Sequence, residues 1–204
     1  LGRTGKFSTP HGIVETPNIA IVINPNKTEI SPQELEKKFG AQILITNSYI
    51  ISRSQALMEK ALSFGVHGLL GTKLPLMTDS GSYQMFSHGG VSITQDEIVS
   101  FQKKIGSDIP VMLDMFTTPA DNYESAKEKV EETIRRAGRV SDTAVTVQGS
   151  GFIDLRAKCA KALSALNAPY YCIGGVVPYM MSYDFSTLFD IIRASAFNLP
   201  LNRP

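Results

Sequence analysis

Six short apolar runs limit what this chain can become: IAIVINP (19–25), AQILITNS (41–48), LPLMTDS (74–80), IPVMLDMF (109–116), TAVTVQGS (143–150) and APYYCIGGV (168–176). Each is too short for most helices and rich in Val and Ile, the pattern of strands buried on both faces. Helical patterns lie between them. SPQELEKKF opens with Ser31 as an N-cap and Pro32 at the first helical position. TQDEIVSFQKKIG sets Thr94 and Glu97 at capping-box spacing, aligns Ile98, Phe101 and Ile105 on one face, and stops at Gly106. SAKEKVEETIRRAGRV is the most charged segment and reads as a solvated helix face, with Arg135, Arg136 and Arg139 in exposed salt bridges. SFGVHGLLG closes a long helix that begins near Tyr49. Strand and helix in alternation predict an α/β fold with a parallel sheet. The first residues differ: in GKFSTPHGIVETP two extended pieces flank the turn Pro10-His11-Gly12, which predicts a β-hairpin. The expected organisation is a hairpin over 1–18 followed by one α/β region over 19–204.

The strand ends carry the next constraint. They deliver Asn24-Pro25, Asn47-Ser48, Asp79-Ser80-Gly81, Asp114, Gln148-Gly149 and Gly174-Gly175. In a (β/α)8 TIM barrel the active site is built at the carboxyl ends of many strands. An open doubly wound sheet binds ligands at a switch point between two strands. Contributions from so many strands favour the barrel. A full barrel needs eight strands and typically about 250 residues; this chain supplies six runs in 204 residues, so the expectation is an incomplete TIM barrel of about six βα units.

Composition narrows the function classes. The net charge is +1 and the pI about 7.9, so any nucleic-acid contact must come from a local patch. Cys159 and Cys172 have neither metal-ligand spacing nor the density of a disulfide framework, which suits a reduced, cytoplasmic setting. No apolar run approaches the roughly 18 residues that span a bilayer, so no membrane partner is expected.

The candidate site gathers two strand-end carboxylates, Asp79 and Asp114, an amide, Gln148, and an aromatic ring, Tyr83. Gly81, Gly174 and Gly175 let backbone approach a flat ligand. Carboxylates and amides match the donor and acceptor edges of a purine, and a tyrosine stacks on a base for about 1–3 kcal/mol. Paired carboxylates also suit chemistry at a glycosidic carbon. Each of these residues equally fits an ordinary strand-end cap. His11 reads as part of the hairpin turn, His67 as a helix-end residue and His88 as a surface loop residue. Cys172, and at least two of Met77, Met85, Met112 and Met115, read as packing.

TDSGSYQMF resembles the signature of the tRNA-guanine transglycosylases. GRTGKFSTPHGIVETP resembles their N-terminal hairpin, and LITNSYII, FQKKIGSDI, VMLDMFTTP, TVQGS and IGGVVP follow in the family's order. INPN, ITNSYII and the LD-x-x-T-x-P stretch look most like the archaeal, archaeosine-type branch, and the resemblance covers essentially all 204 residues. It implies a TIM-barrel glycosyltransferase (a pentosyltransferase) that exchanges a D-loop guanine of tRNA for 7-cyano-7-deazaguanine by double displacement. An aspartate attacks the ribose C1′, guanine leaves, and the incoming base resolves the covalent intermediate.

On this resemblance Asp79 handles protons and contacts the base, and Ser80, Gly81 and Ser82 form the adjoining loop. Tyr83 stacks on the base and Asp114 recognises the guanine edge. Gln148, Gly174, Gly175 and Val176 complete the base-binding wall. The family's attacking aspartate, and its zinc site of three cysteines and a histidine, lie beyond the stretch that matches NLPLNRP. No metal ligand is therefore expected in this chain. A second polypeptide or a C-terminal segment is expected to complete the barrel. Residue types alone leave open whether Asp79 itself attacks with Asp114 as partner. The alternative of another class is a non-catalytic half-barrel that binds tRNA or a partner protein.

Overall fold

The computed structural model describes residues 3–27, 29–87 and 93–204. The strands are β1 (Gly5–Thr9), β2 (Gly12–Thr16), β3 (Ile21–Val22), β4 (Leu44–Asn47), β5 (Leu76–Asp79), β6 (Ile109–Pro110), β7 (Val145–Val147) and β8 (Tyr171–Ile173). The helices are α1 (Pro32–Phe39), α2 (Ser48–Arg53), α3 (Gln55–Leu70), α4 (Ser82–Ser87), α5 (Gln95–Lys104), α6 (Tyr123–Ala137), α7 (Ile153–Ser164), α8 (Val177–Met181) and α9 (Phe185–Ala196). Every apolar run read as a strand contains one, and β1 and β2 form the expected antiparallel hairpin. β3, β4, β5 and β6 pair in parallel and in sequence order, and β7 pairs in parallel with β8. Strands laid down side by side in sequence order, each followed by a helix, are the winding pattern of a (β/α) barrel.

The chain forms two compact units. The first comprises Leu1–Gly81 and Asp96–Val111, the second Ser82–Gln95 and Met112–Pro204. In the first unit α1 begins as its sequence dictates. Ser31 Oγ accepts from the Glu34 N–H at 3.2 Å, Pro32 follows, and Gly40 closes the helix in the left-handed region. The long helix expected from Tyr49 is instead two, α2 and α3, because Ser54 is extended between them (φ −107°, ψ 113°). α3 is itself interrupted at Gly65 (φ 72°, ψ 168°), and the next amide, Val66 N–H, donates to Ile105 O at 2.7 Å instead of to its own helix. Ile23, Leu35, Leu44, Ile51, Ala61, Val66, Leu76 and Ile105 make this unit's core.

In the second unit Asn122 caps α6 by accepting from the Ser125 N–H at 2.9 Å. The buried face of α6, Ala126, Val130 and Ala137, packs with Met112, Val145, Val147, Leu155, Cys159 and Leu163. Two of the three arginines expected in salt bridges make them: Glu132 meets both Arg135 and Arg136, and the hydrogen bond from Arg135 leads in holding its carboxyl down to about 2, while Arg139 is exposed with no ion pair among the described residues. Arg136 reaches further and donates to Leu113 O at 3.1 Å. Among the described residues no helix is long and apolar enough to cross a membrane.

Candidate active site

The first unit presents Asp79. Parallel register sets Asn47 at the end of β4 beside Asp79 at the end of β5. Asn47 Nδ2 donates to Asp79 Oδ2 at 2.8 Å, while Asn47 Oδ1 accepts from the Ile50 N–H at 2.9 Å. The backbone donor fixes which end of the amide is oxygen, so the nitrogen must face the carboxylate. Ser48 Oγ donates to Asp79 O at 2.7 Å. Beneath, Thr78 is locked to Gln102 Oε1 at 2.6 Å and to Ser107 Oγ at 2.7 Å. Ser80 has no exposed surface, and Gly81 turns the chain at φ +88° directly against Tyr49. A Cβ on Gly81 would stand 2.3 Å from Tyr49 Cβ, so this turn requires glycine.

The second unit presents Asp114 in a closed network. The residue is 8% exposed, and its carboxylate accepts from Ser82 Oγ and from Gln148 Nε2. The far end of the Gln148 amide accepts from Thr117 Oγ1 at 2.7 Å and the Thr117 N–H at 3.3 Å, which again fixes the amide's orientation. Burial pushes the Asp114 carboxyl above its ordinary range; the hydrogen bonds from Ser82 and Gln148 and the charge of Arg136 oppose this only in part. Gly174 and Gly175 lie against the same amide. A Cβ on Gly174 would be 2.5 Å from Gln148 Nε2, and one on Gly175 would be 2.9 Å from Gln148 Oε1. Val176 is half-buried against the cluster of Tyr179, Leu188 and Ile191. Tyr83 is 53% exposed and forms a T-shaped pair with Phe116, the ring centroids 5.4 Å apart and the planes at 74°.

Ser82, Asp114, Gln148, Gly174 and Gly175 are thus gathered into one network in the second unit, whereas Asp79, Ser80 and Gly81 are held by Asn47, Ser48 and Tyr49 in the first. A buried carboxylate with oriented donors beside it, next to glycine-thinned backbone, can accept from the ring N–H and exocyclic amine of a planar base. Sequence reasoning missed two orienting residues, Asn47 and Thr117. Their polar type at or just beyond strand ends was the available signal. His88 lies outside the described residues.

A second cluster was also missed. His11 Nδ1 stands 2.8 Å from Asp108 Oδ1 and His67 Nε2 stands 3.1 Å from Asp108 Oδ2, with the two imidazoles stacked at 3.5 Å. Their ligand atoms all lie within 4.8 Å of one another, and each histidine directs one nitrogen at the carboxylate. Asp108 also accepts from the Leu76 N–H at 2.8 Å. These bonds make the trio a clamp between the hairpin, α3 and the start of β6, all within the first unit. A zinc site of three cysteines and a histidine does not fit the cysteines present. There are two, and the Cys159 thiol is buried, accepts from the Gln148 N–H at 3.4 Å and is pushed up to about 11.

The family model described as queuine tRNA-ribosyltransferase matches residues 1–204. A tRNA-guanine(15) transglycosylase of Thermoplasma acidophilum is 48% identical over the whole of this chain and 33% of its own length. One from Methanosarcina acetivorans is 48% identical over the whole of this chain and 43% of its own length. One from Archaeoglobus fulgidus is 46% identical over 98% of this chain and 43% of its own length. The chain therefore spans between a third and less than half of these relatives.

Proposed function

Because the chain belongs to the queuine tRNA-ribosyltransferase family, we propose that it carries the base-recognition part of a tRNA-guanine transglycosylase of the archaeosine type. This glycosyltransferase replaces a D-loop guanine of tRNA with 7-cyano-7-deazaguanine. Residues 1–18 are then the hairpin that precedes a TIM-barrel segment over 19–204. The barrel is completed by a further segment or a second polypeptide, and the protein works in the cytoplasm.

The observation that carries this reading is the Ser82–Asp114–Gln148 network. It holds a buried acceptor, which complements the adjacent N–H donors of a guanine edge, beside an amide whose Nε2 faces that acceptor. Asp114 accepts from the base, Gln148 and the Gly174–Val176 backbone line its other edge, and Tyr83 supplies the stacking face. Asp79, aimed by Asn47, exchanges protons with the departing or arriving base. Ser80, Gly81 and Ser82 form the turn beside it. Attack on the ribose is assigned to an aspartate outside this sequence, as is the zinc site, and no step here passes through either.

The test is incorporation of radiolabelled guanine into tRNA by the protein at its native length, with Asp79→Asn and Asp114→Asn as variants. The expected result is exchange by the parent and loss of exchange in both variants, with tRNA binding retained. Exchange that survives Asp79→Asn removes the proton-handling role of Asp79. Tight tRNA binding by a parent that shows no exchange favours the non-catalytic binding module.

A further inference from the structure

Arg156 is buried without exposed surface in the first half of α7, a costly place for a cation that, among the described residues, makes no salt bridge. Its donors go to backbone instead. Nε donates to Ser150 O at 2.9 Å, and Nη1 donates to Val147 O at 3.1 Å and Gly174 O at 2.7 Å. Burial lowers its guanidinium to about 10, so it remains charged at neutral pH. Val147 ends β7, Ser150 lies in the turn that follows it, and Gly174 follows the end of β8. One planar fork therefore ties together the two turns that carry Gln148 and Gly174–Val176. The surroundings are packed to fit. A Cβ on Gly149 would be 2.9 Å from Arg156 N, and one on Gly175 would be 3.3 Å from Arg156 Nη2. Nη2 itself has no hydrogen-bond partner among the described residues, so its direction is set by the fork and not by an acceptor of its own.

We infer that Arg156 is a positioning residue, whose fork holds the Gln148 turn and the Gly174–Val176 turn in the one relative placement that recognises the base. This rests on the function proposed above. Three carbonyls on two turns match a rigid guanidinium and not a point-like ammonium, so lysine cannot replace it although it keeps the charge.

The test compares Arg156→Lys and Arg156→Met with the parent at native length, by amide hydrogen exchange and by steady-state kinetics with guanine and tRNA varied separately. In Arg156→Lys, amides 148–150 and 174–176 are expected to exchange roughly tenfold faster or more while those of α6 and α9 are unchanged. The KM for guanine rises roughly tenfold or more, and the KM for tRNA stays within about twofold. Arg156→Met behaves the same way or more severely; if it fails to fold, Arg156→Lys alone decides. A folded Arg156→Lys with parental guanine KM and parental exchange at both turns overturns the inference. So does one in which both KM values rise together, the sign of general loosening. A parent that exchanges no guanine into tRNA overturns the proposed function instead, and amide exchange at the two turns then decides the role of Arg156 by itself.

Discussion

Gln148 donates its Nε2 to the carboxylate of Asp114, and Thr117 leaves the amide no freedom to turn round. Burial raises the Asp114 carboxyl, so its ionised form is disfavoured in the folded protein. A raised carboxyl contributes most to stability below the unfolded value, near pH 4, and that contribution is lost as pH rises through the folded pKa. Asp114→Asn removes this loss. Relative to the parent, the variant is expected to gain stability between pH 4 and pH 7, measured by urea unfolding at both, while binding no guanine. A stability difference independent of pH would show that Asp114 does not titrate in this window.

Gly81 and Gly40 share a left-handed backbone, φ +88° and +67°, but differ in space: Tyr49 Cβ is 2.3 Å from the Cβ position of Gly81, and nothing lies within 4 Å of that of Gly40. Gly40→Ala meets only the backbone penalty, about 1 kcal/mol. Gly81→Ala adds a steric conflict against Tyr49 and is expected to cost about 2–4 kcal/mol. Chemical denaturation of the two variants checks the difference. Equal costs would mean that Tyr49 moves aside freely.

Much of this fold could be read before any coordinates, and most exceptions have causes. The strands declared themselves through compact Val and Ile runs, and α1 through Ser31 followed by Pro32. α7 did not, because its buried stripe of Leu155, Arg156, Cys159, Ala160 and Leu163 contains a charge where the helical period calls for a hydrophobe. α9 was not singled out although its pattern is there, with Leu188 and Ile191 on the buried face and Asp190 and Arg193 on the exposed one. The break at Ser54 has no local signal such as proline. In the site, Asp79, Asp114 and Gln148 stood out as polar ends of apolar runs. Asp108 did not, because its partners His11 and His67 lie 97 and 41 residues away in sequence and only the fold joins them.

The Asp108 clamp predicts an acid-sensitive hairpin. Burial alone would raise this carboxyl, but hydrogen bonds from His67, His11 and the Leu76 N–H outweigh it and hold the group below its ordinary range. A lowered carboxyl contributes stability that is present above the unfolded value, near pH 4, and is lost as pH falls through the folded one. Asp108→Asn keeps the volume but breaks at least one of these bonds, and is expected to cost about 2–4 kcal/mol at pH 7. Amide exchange of β1 and β2 should quicken in the variant, and the difference in stability from the parent should shrink below pH 4. A difference that persists undiminished in acid would show that packing, not charge, holds the clamp.

Thr117 carries more than its size suggests. Its buried hydroxyl donates to Gln148 Oε1 at 2.7 Å and accepts from the Ser150 N–H at 2.8 Å and the Gly149 N–H at 3.3 Å. Thr117→Val preserves shape and removes all three bonds, leaving two buried amides short of an acceptor and Gln148 Oε1 held only by the Thr117 N–H. The expected loss is about 2–3 kcal/mol in unfolding free energy, with weaker guanine binding because the amide that faces Asp114 can now rotate. Thr117→Ser keeps the hydroxyl and loses one methyl, so its cost is expected to stay near 1 kcal/mol with guanine binding retained. Calorimetric titration of guanine against both variants separates the two contributions. If Thr117→Val lowers stability but binds guanine as the parent does, the orientation of Gln148 is set by Asp114 and Ser82 alone, and the hydroxyl serves only the turn.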